Sequence, residues 1–523
     1  MSVLRIHPSD DMAVALQDLR PGAEIQIDGQ RFLVRTAVPM KHKIYLRDLP
    51  AAARPRLYGM PVGQTTRPVQ QGEGVTQENL ASLPVEEMPV PPSEVQWTPL
   101  DWGHLPRTFE GYRRPDGRVG TRNHVLIAYT VSCVSHIAER VAHIGRQAFG
   151  LADDDPWVQY ARTGTFTASS TSAPSVGVDD IVVLRHNSGC GMPDHGDRER
   201  LLRFLVGYIQ HPNVAAALVL GLGCEKVPVS AVRHAVGDTW KPVVYLELQQ
   251  VGTEEALLRA ALDALRDLVR RAGQHQREPV PVSALVLGVE CGGSDGFSGI
   301  TANPVVGVVS DLLVSAGGTV ILPEVPEMVG AEGLLMARAV NDHVRAQIRD
   351  LIRQFASYAA RFNAQVSENL SWGNVREGLI TIQMKALGVI QKAGHGPIVG
   401  VLDYGEPVAR SGVYLLNTPG YDIPSVSALP LSGAQVVIFT TGLGTPTGNP
   451  VVPVIKVASN HRTAQHMADI VDFDAGSVLD RVPLPTVGRE LCHLMVRVAS
   501  GDATANERWG HRESAFWNLQ LML

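Results

Sequence analysis

The sequence predicts an α/β protein in which a small β-rich N-terminal module precedes one or two α/β domains with mainly parallel sheets. Three observations lead there. Up to about residue 80 the chain runs in short alternating segments, such as Ala23–Ile27 and Arg31–Ala37, parted by turn residues like Asp28-Gly29. That is the pattern of half-buried strands. Between Pro84 and Pro106 six prolines stand among scattered acids, a composition that resists helix and strand and favours an extended linker. From about residue 108, apolar runs of strand length alternate with amphipathic helical stretches, the signature of βαβ units around a parallel sheet.

The strands expected in order are His124–Val131, Asp180–His186, Val214–Leu222, Val243–Leu248, Ala284–Val289, Thr319–Pro323, Ile398–Leu402, Gln435–Thr441 and Val451–Val457. Helical periodicity is clearest over Arg198–Ile209, Glu254–Arg271, Asn303–Ser315 and Glu332–Ala360. It breaks at Ser367–Gly378, so the expected division is a module over 1–82, a linker over 83–107, a central α/β domain over 108–375 and a C-terminal α/β domain over 376–523. The Thr- and Ser-rich stretch Thr163–Ser175 reads as a loop, either plain surface or a lid.

Composition bounds the function. At 523 residues and 45% hydrophobic the chain exceeds what one core usually serves. A net charge of −6 without a basic stripe leaves no footprint for nucleic acid or an anionic membrane. The opening MSVLRIHPSDD lacks an apolar core of signal-peptide length, and no apolar run reaches membrane-spanning length; a cytoplasmic protein is expected. Five cysteines are too few for a disulfide scaffold in so long a chain, which leaves burial, nucleophilic chemistry or metal binding.

Three of those cysteines share a context: His186-Asn-Ser-Gly-Cys190-Gly, Gly221-Leu-Gly-Cys224-Glu-Lys226 and Glu290-Cys291-Gly-Gly-Ser-Asp295. Each has glycine beside it and follows an apolar strand, so each is expected at the carboxyl end of a parallel strand, where open α/β sheets place ligand sites. A thiolate trio is a soft ligand set suited to zinc or iron–sulfur chemistry; small residues packing strand ends are the plainer explanation. Cys133 also follows a strand and starts a helix, but lacks the glycines, and Cys492 lies on an amphipathic helix as core. Two strings of glycine and hydroxyl residues, Gly292–Asn303 with Ser294, Thr301 and Asn303, and Thr440–Gly448 with Thr441 and Thr445, offer donors for a carboxylate or a polyhydroxylated chain. Neither fits a dinucleotide fingerprint or a Walker loop.

From Gly111-Tyr-Arg-Arg-Pro-Asp-Gly-Arg-Val-Gly-Thr-Arg-Asn123, through the Cys190, Cys224 and Cys291 motifs and Thr-Thr-Gly-Leu-Gly-Thr-Pro, to Pro453-Val-Ile-Lys456 and Asp472-Phe-Asp-Ala-Gly476, the chain resembles the altronate/galactarate dehydratase family. The N-terminal module, with Ile6-His7-Pro8, His42-Lys43, Asp48 and Tyr58-Gly59, resembles that family's SAF-like β-clip domain. The resemblance implies a hydro-lyase that removes water from an aldonate or aldarate to give a 2-keto-3-deoxy acid, with activity linked to iron, as Fe2+ or as a cluster with one open iron. It also implies a small hydroxy or sugar acid as partner. A homodimer is the expected assembly.

Such a reaction needs a base for a weakly acidic α-proton, donors or a cation for the aci-carboxylate, and help for a poor leaving group. On the resemblance, Cys190, Cys224 and Cys291 are assigned to metal. His186, Lys226, Asp295 and Glu324 are assigned to catalysis, and His42, Arg122, Ser294, Thr301, Asn303, Thr441, Thr445 and Lys456 to substrate. A single ferrous ion held by histidine and carboxylates, with His42 reaching over from the β-clip, is the competing arrangement. Where altronate-type members carry a His-Thr-His-like turn, this chain has Val75-Thr-Gln-Glu-Asn79, and Gln64 stands where histidine is usual. The substrate is therefore left open: a related lyase acting on a smaller or sulfonated hydroxy acid, or a non-catalytic acid-binding paralogue, are the alternatives. A nucleophilic-cysteine hydrolase lacks a matching Cys/His/Asn order.

Overall fold

The computed structural model describes residues 2–84, 97–151, 157, 160–161, 164 and 176–518. Residues 85–96 of the proline-rich linker, and all of Thr163–Ser175 but Gly164, lie outside them. The N-terminal module is built from short antiparallel strands: Val3–Leu4, Met12–Ala15 and Lys43–Tyr45 form one sheet, and Glu24–Ile27 pairs with Gln30–Leu33. The turn of that hairpin is Asp28-Gly29, both with positive φ, as a two-residue hairpin turn requires.

Two parallel sheets follow. The first has four strands in the order Asp180–Leu184, His124–Tyr129, Val214–Gly221, Val243–Glu247. Its second strand alternates cleanly: Val125 and Ile127 face the helices Ser135–Ala148 and Glu254–Ala272, while Leu126 and Ala128 enter the main core with Leu201, Phe204 and Leu205 of the helix Asp197–Gln210. Period-2 alternation between two apolar faces gives the near-continuous hydrophobic strand of a doubly covered sheet.

The second sheet has seven parallel strands in the order Ile398–Leu402, Gly412–Leu416, Thr319–Leu322, Val286–Cys291, Val436–Thr441, Val454–Ala458, Phe473–Asp474. Two expectations change here. Val286–Cys291 and Thr319–Leu322 pair with strands beyond residue 376, so a boundary at 375/376 would cut one hydrogen-bonded sheet. The change of sheet instead falls between Glu247 and Val286. The stretch Glu332–Ala360 is two helices, Glu332–Ala337 and Asp342–Ala360. Asn341 accepts the Val344 N–H at 2.9 Å as a fresh N-cap. No helix among the described residues is long and apolar enough to cross a membrane.

The N-terminal module docks on the seven-stranded sheet's loops. Lys41 Nζ lies 2.9 Å from Asp295 Oδ2 and 2.7 Å from Glu377 Oε2, and Lys43 Nζ donates to Gly378 O at 2.7 Å. The backbones touch: a Cβ at Gly296 would stand 2.1 Å from the Lys41 carbonyl oxygen.

Candidate functional site

The middle strand Val286–Cys291 ends in Glu290 and Cys291, and its neighbours end beside it. The strand Thr319–Leu322 leads into Glu324 and Glu327, Gly412–Leu416 into Thr418, and Val454–Ala458 carries Lys456. Convergence at the carboxyl edge of a parallel sheet follows from topology alone. Glu324 sits at φ +69° and donates its backbone N–H to Thr418 Oγ1 at 2.7 Å. A left-handed non-glycine residue costs about 1–3 kcal/mol and is held only where its surroundings fix it.

The side chains so gathered are almost all buried. Cys291 Sγ lies 3.1 Å from Glu327 Oε2, and Glu324 Oε2 accepts from Lys392 Nζ at 2.9 Å and from the Cys291 N–H at 3.2 Å. Lys385 Nζ pairs with Glu327 Oε1 at 2.6 Å, and Ser425 Oγ donates to Glu290 Oε2 at 2.9 Å. Asp422 approaches so closely that a Cβ at Gly292 would stand 2.2 Å from its Oδ2. Lys456 Nζ has no hydrogen-bond partner among the described residues and lies 3.2 Å from the centroid of the Phe439 ring.

Burial sets the electrostatics. It lifts Glu324 to about 7, with Glu327 adding and Lys392 opposing. It also pushes Glu290 well up, Glu324 reinforcing, and the Oε1 atoms of both carboxyls have no hydrogen-bond partner among the described residues. Burial raises Cys291 strongly and Asp422 to about 6. The same desolvation brings Lys456 down to about 7 against the pull of Asp422 and Glu290, whereas Lys392 is raised because Cys291, Glu324 and Glu327 outweigh its burial.

Cys291, Glu324 and Glu327 place their donor atoms within 4.8 Å of one another. Four carboxyl groups and a thiol face three lysines, the excess being carried as protons. A divalent cation binding one sulfur and two oxygens would displace such protons, so the donor set fits a borderline metal such as ferrous iron. Beside it, Asp295 is saturated by Ser298, Ser459, Asn460 and Lys41. The turns 292–295 and 441–445 are tied by the Gly442 and Leu443 N–H groups, both 3.0 Å from Gly293 O.

The sequence-predicted residues divide sharply. Cys291, Glu324, Asp295, Lys456, Ser294, Thr441 and Thr445 are in or beside this region. Cys190 and Cys224 are not: both are exposed and leave the four-stranded sheet, while Cys291 is buried against Glu324 and Glu327. The Cys190–Cys224–Cys291 ligand set is thus divided between two sheets. His186 is a packed, neutral ring: Nδ1 accepts the Ser188 N–H at 3.2 Å, leaving Nε2 to donate to Tyr129 O at 2.7 Å, and burial lowers it to about 4. Arg122 has its donors committed to Glu507 and to carbonyl oxygens of Thr121, Val498 and Asp502, which leaves no free fork for a substrate carboxylate. Lys226 pairs with Asp194 at 3.1 Å on the four-stranded sheet's side. Asn303 bridges Gly388 O and Thr440 Oγ1, and Thr301 bonds the carbonyls of Phe297 and Ser459, so both hold turns. His42 Nε2 is bonded to Arg376 O at 2.9 Å and is absent from the thiol–carboxylate group. Glu327, Lys385, Lys392 and Asp422 were not read from the sequence; the acids flanking Val325-Pro326 after a strand, and two lysines in the apolar stretch 380–392, were the available signals.

Three family descriptions match the chain in succession: the altronate/galactarate dehydratase SAF domain over residues 1–83, the second domain of D-galactarate dehydratase/altronate hydrolase over 111–273, and the C-terminal D-galactarate/altronate dehydratase domain over 282–522. The chain is 36% identical to altronate dehydratase of Bacillus subtilis, covering 100% of both chains. It is 32% identical to galactarate dehydratase (L-threo-forming) of Escherichia coli, covering 98% of this chain and 96% of that one. The beta subunit of (2R)-sulfolactate sulfo-lyase from Chromohalobacter salexigens is 34% identical over 79% of this chain and 98% of its own. With all three domains matched in order and relatives aligned along the whole length, the chain belongs to the altronate/galactarate dehydratase family.

Proposed function

We propose that the protein eliminates water from a sugar acid, an aldonate or aldarate such as altronate or galactarate, to give a 2-keto-3-deoxy acid. The observation that carries this is a buried, unpartnered Lys456 amine beside a thiol–carboxylate group, in a chain aligned end to end with dehydratases. Lys456, brought down to about 7, is half neutral at neutral pH and takes the α-proton. The β-hydroxyl departs as water, taking up the proton that Lys456 has gained, and the resulting enol tautomerises to the keto acid. Cys291, Glu324 and Glu327 would hold ferrous iron, which would supply Lewis acidity for the carboxylate and the leaving hydroxyl. Ser294, Thr441 and Thr445 orient the sugar hydroxyls. Thr441 Oγ1 already accepts the Gly444 N–H at 2.9 Å, which leaves its proton to donate. Asp295 positions Lys41 and the turn rather than moving a proton. We further assign the protein to the cytoplasm, as a homodimer acting on a free acid without nucleic acid or membrane partners; composition supports that part.

The test is a panel of aldonates, aldarates and sulfolactate offered to iron-loaded protein, with 2-keto-3-deoxy acid and sulfite both measured. Keto acid from altronate or galactarate, with water as the only other product, supports the proposal. Sulfite from sulfolactate and no sugar-acid product would favour the second reading, which the sulfo-lyase relative motivates. No product from any acid would overturn both.

A further inference from the structure

The carboxyl end of the four-stranded sheet holds a second set of side chains that the proposed dehydration leaves unused. Cys190 follows the strand Asp180–Leu184, Cys133 follows His124–Tyr129, and Cys224 follows Val214–Gly221. These are three adjacent strands, the one leading to Cys133 in the middle. Their exit loops are locked together. Ser132 N donates to Ser188 O at 2.9 Å, and Thr130 N to Leu220 O at 2.9 Å. Thr130 Oγ1 donates to Glu225 Oε1 at 2.5 Å, while Glu225 Oε2 accepts the N–H groups of Gly223 at 2.6 Å and Cys224 at 2.9 Å.

Glycine is required for this contact. A Cβ at Gly189 would stand 2.3 Å from Val131 Cγ2, and one at Gly221 2.6 Å from Glu225 Oε1. Each cysteine therefore sits within three residues of a point where its loop is pinned to the next. All three thiols are exposed, whereas Cys291 and Cys492 are buried. Exposed thiols on fixed loops are open to oxidation unless a ligand occupies them.

We propose that Cys133, Cys190 and Cys224 are the protein ligands of an iron–sulfur cluster, one thiolate to each of three irons, with the remaining iron open at the sheet edge. Three soft thiolates without a partnering histidine suit iron–sulfur chemistry. Among the described residues these sulfurs are not part of a single-ion group; the donors gathered that tightly are Cys291, Glu324 and Glu327. Cluster cysteines bind different irons and stand correspondingly farther apart than the ligands of one zinc ion. Cys133 lies in the turn Ser132–Val134 that leads into the helix Ser135–Ala148, whose first turn has no side-chain cap, and a helix start favours an anionic, thiolate-bound group. Cys133 here replaces Cys291 in the trio that glycine context had suggested. The inference does not rest on the proposed dehydration.

The experiment compares wild type with Cys133→Ser, Cys190→Ser, Cys224→Ser and Cys291→Ser, purified without oxygen and reconstituted with ferrous iron, sulfide and a thiol reductant. Iron, acid-labile sulfide and visible charge-transfer absorption are measured. Sulfide and absorption are expected in wild type and Cys291→Ser, with at least a tenfold loss of bound sulfide in each of the other three. Because a variant can fail by misfolding, wild type alone is also alkylated under native conditions before and after reconstitution, and the labelled cysteines are located by peptide mass spectrometry. Protection of Cys133, Cys190 and Cys224 on reconstitution supports the cluster. Full labelling of the three in reconstituted protein overturns it. So does iron that arrives without sulfide and leaves with Cys291→Ser, an outcome that would keep the buried centre of the proposed function intact.

Discussion

Arg122 and Lys456 are both buried cations, and the contrast between them separates folding from chemistry. Arg122 donates to both Glu507 oxygens, at 2.6 and 2.9 Å, and to three backbone carbonyls at 2.8 to 2.9 Å. Its charge is fully answered, and it ties the loop before the four-stranded sheet to the C-terminal residues 498–507. Lys456 has no hydrogen-bond partner among the described residues and lies over the face of Phe439. A buried ammonium without partners gives up its proton rather than bear the desolvation cost. Burial is common to both; satisfaction is what differs. An unsatisfied buried group is tolerated where something else is meant to meet it.

The largest effect expected from this contrast is on turnover. Lys456→Met should lower kcat by about a thousandfold, within the range seen for removal of a general base, while the variant unfolds at the same or higher denaturant concentration. Steady-state kinetics and a urea titration on the same preparations check both halves. Activity within tenfold of wild type would break the comparison. Arg122→Ala should do the reverse: a loss of about 3 kcal/mol, typical of a broken buried ion pair, with KM for the acid unchanged in the folded fraction. A stable variant with raised KM would return Arg122 to the substrate site that sequence alone gave it.

A pH series sharpens the same point. Since Lys456 accepts a proton only when neutral, the rate should climb as pH rises through about 7. Stability carries the matching sign. The folded-state lysine is depressed below its unfolded value, so the unfolded chain holds the extra proton, and the resulting penalty is full below about pH 7 and fades toward the ordinary lysine range. The stability gain of Lys456→Met over wild type should therefore be greatest below neutrality and vanish in alkali. A pH-independent gain would mean that the amine is charged and partnered in the folded protein.

How much of this was legible depends on where each group sits. Residues at strand ends announced themselves, because an apolar run followed by glycine and polar residues marks the carboxyl edge of a parallel sheet; Cys291, Asp295 and Thr441 are legible that way, whereas Glu324 and Lys456, the latter inside the strand Val454–Ala458, rest on the family resemblance. Glu327, Lys385, Lys392 and Asp422 were missed since they ride on helical segments whose approach is decided by tertiary packing. All of Ile382–Val389 is buried, so no polar face marks Lys385 as special. The domain boundary failed for a related reason: Ser367–Gly378 interrupts helical periodicity, yet strands on either side of it pair in one sheet, and pairing leaves no local trace. His186 and Arg122 were misread in the opposite direction. Their residue types suggest chemistry, and only their hydrogen bonds show that the valences are spent.

His186 gives the smallest of the expected effects. Its ring accepts the N–H two residues on and donates to a strand carbonyl, and His211 repeats the arrangement with Asn213 N at 3.1 Å and Ala434 O at 3.0 Å. Burial lowers them to about 4 and about 3. Both are thus neutral in the folded protein while the unfolded chain protonates near 6.5. A histidine depressed in this way contributes stability that is complete above about pH 6.5 and is lost as pH falls toward its folded value. Between pH 7 and pH 5 His186 should account for a loss on the order of 2 kcal/mol, and His186→Gln, which cannot charge, should flatten that part of the stability profile. Were His186 a working base that exchanges protons in the native state, wild type and variant would show the same slope over this interval and differ instead in the acid limb of the rate profile.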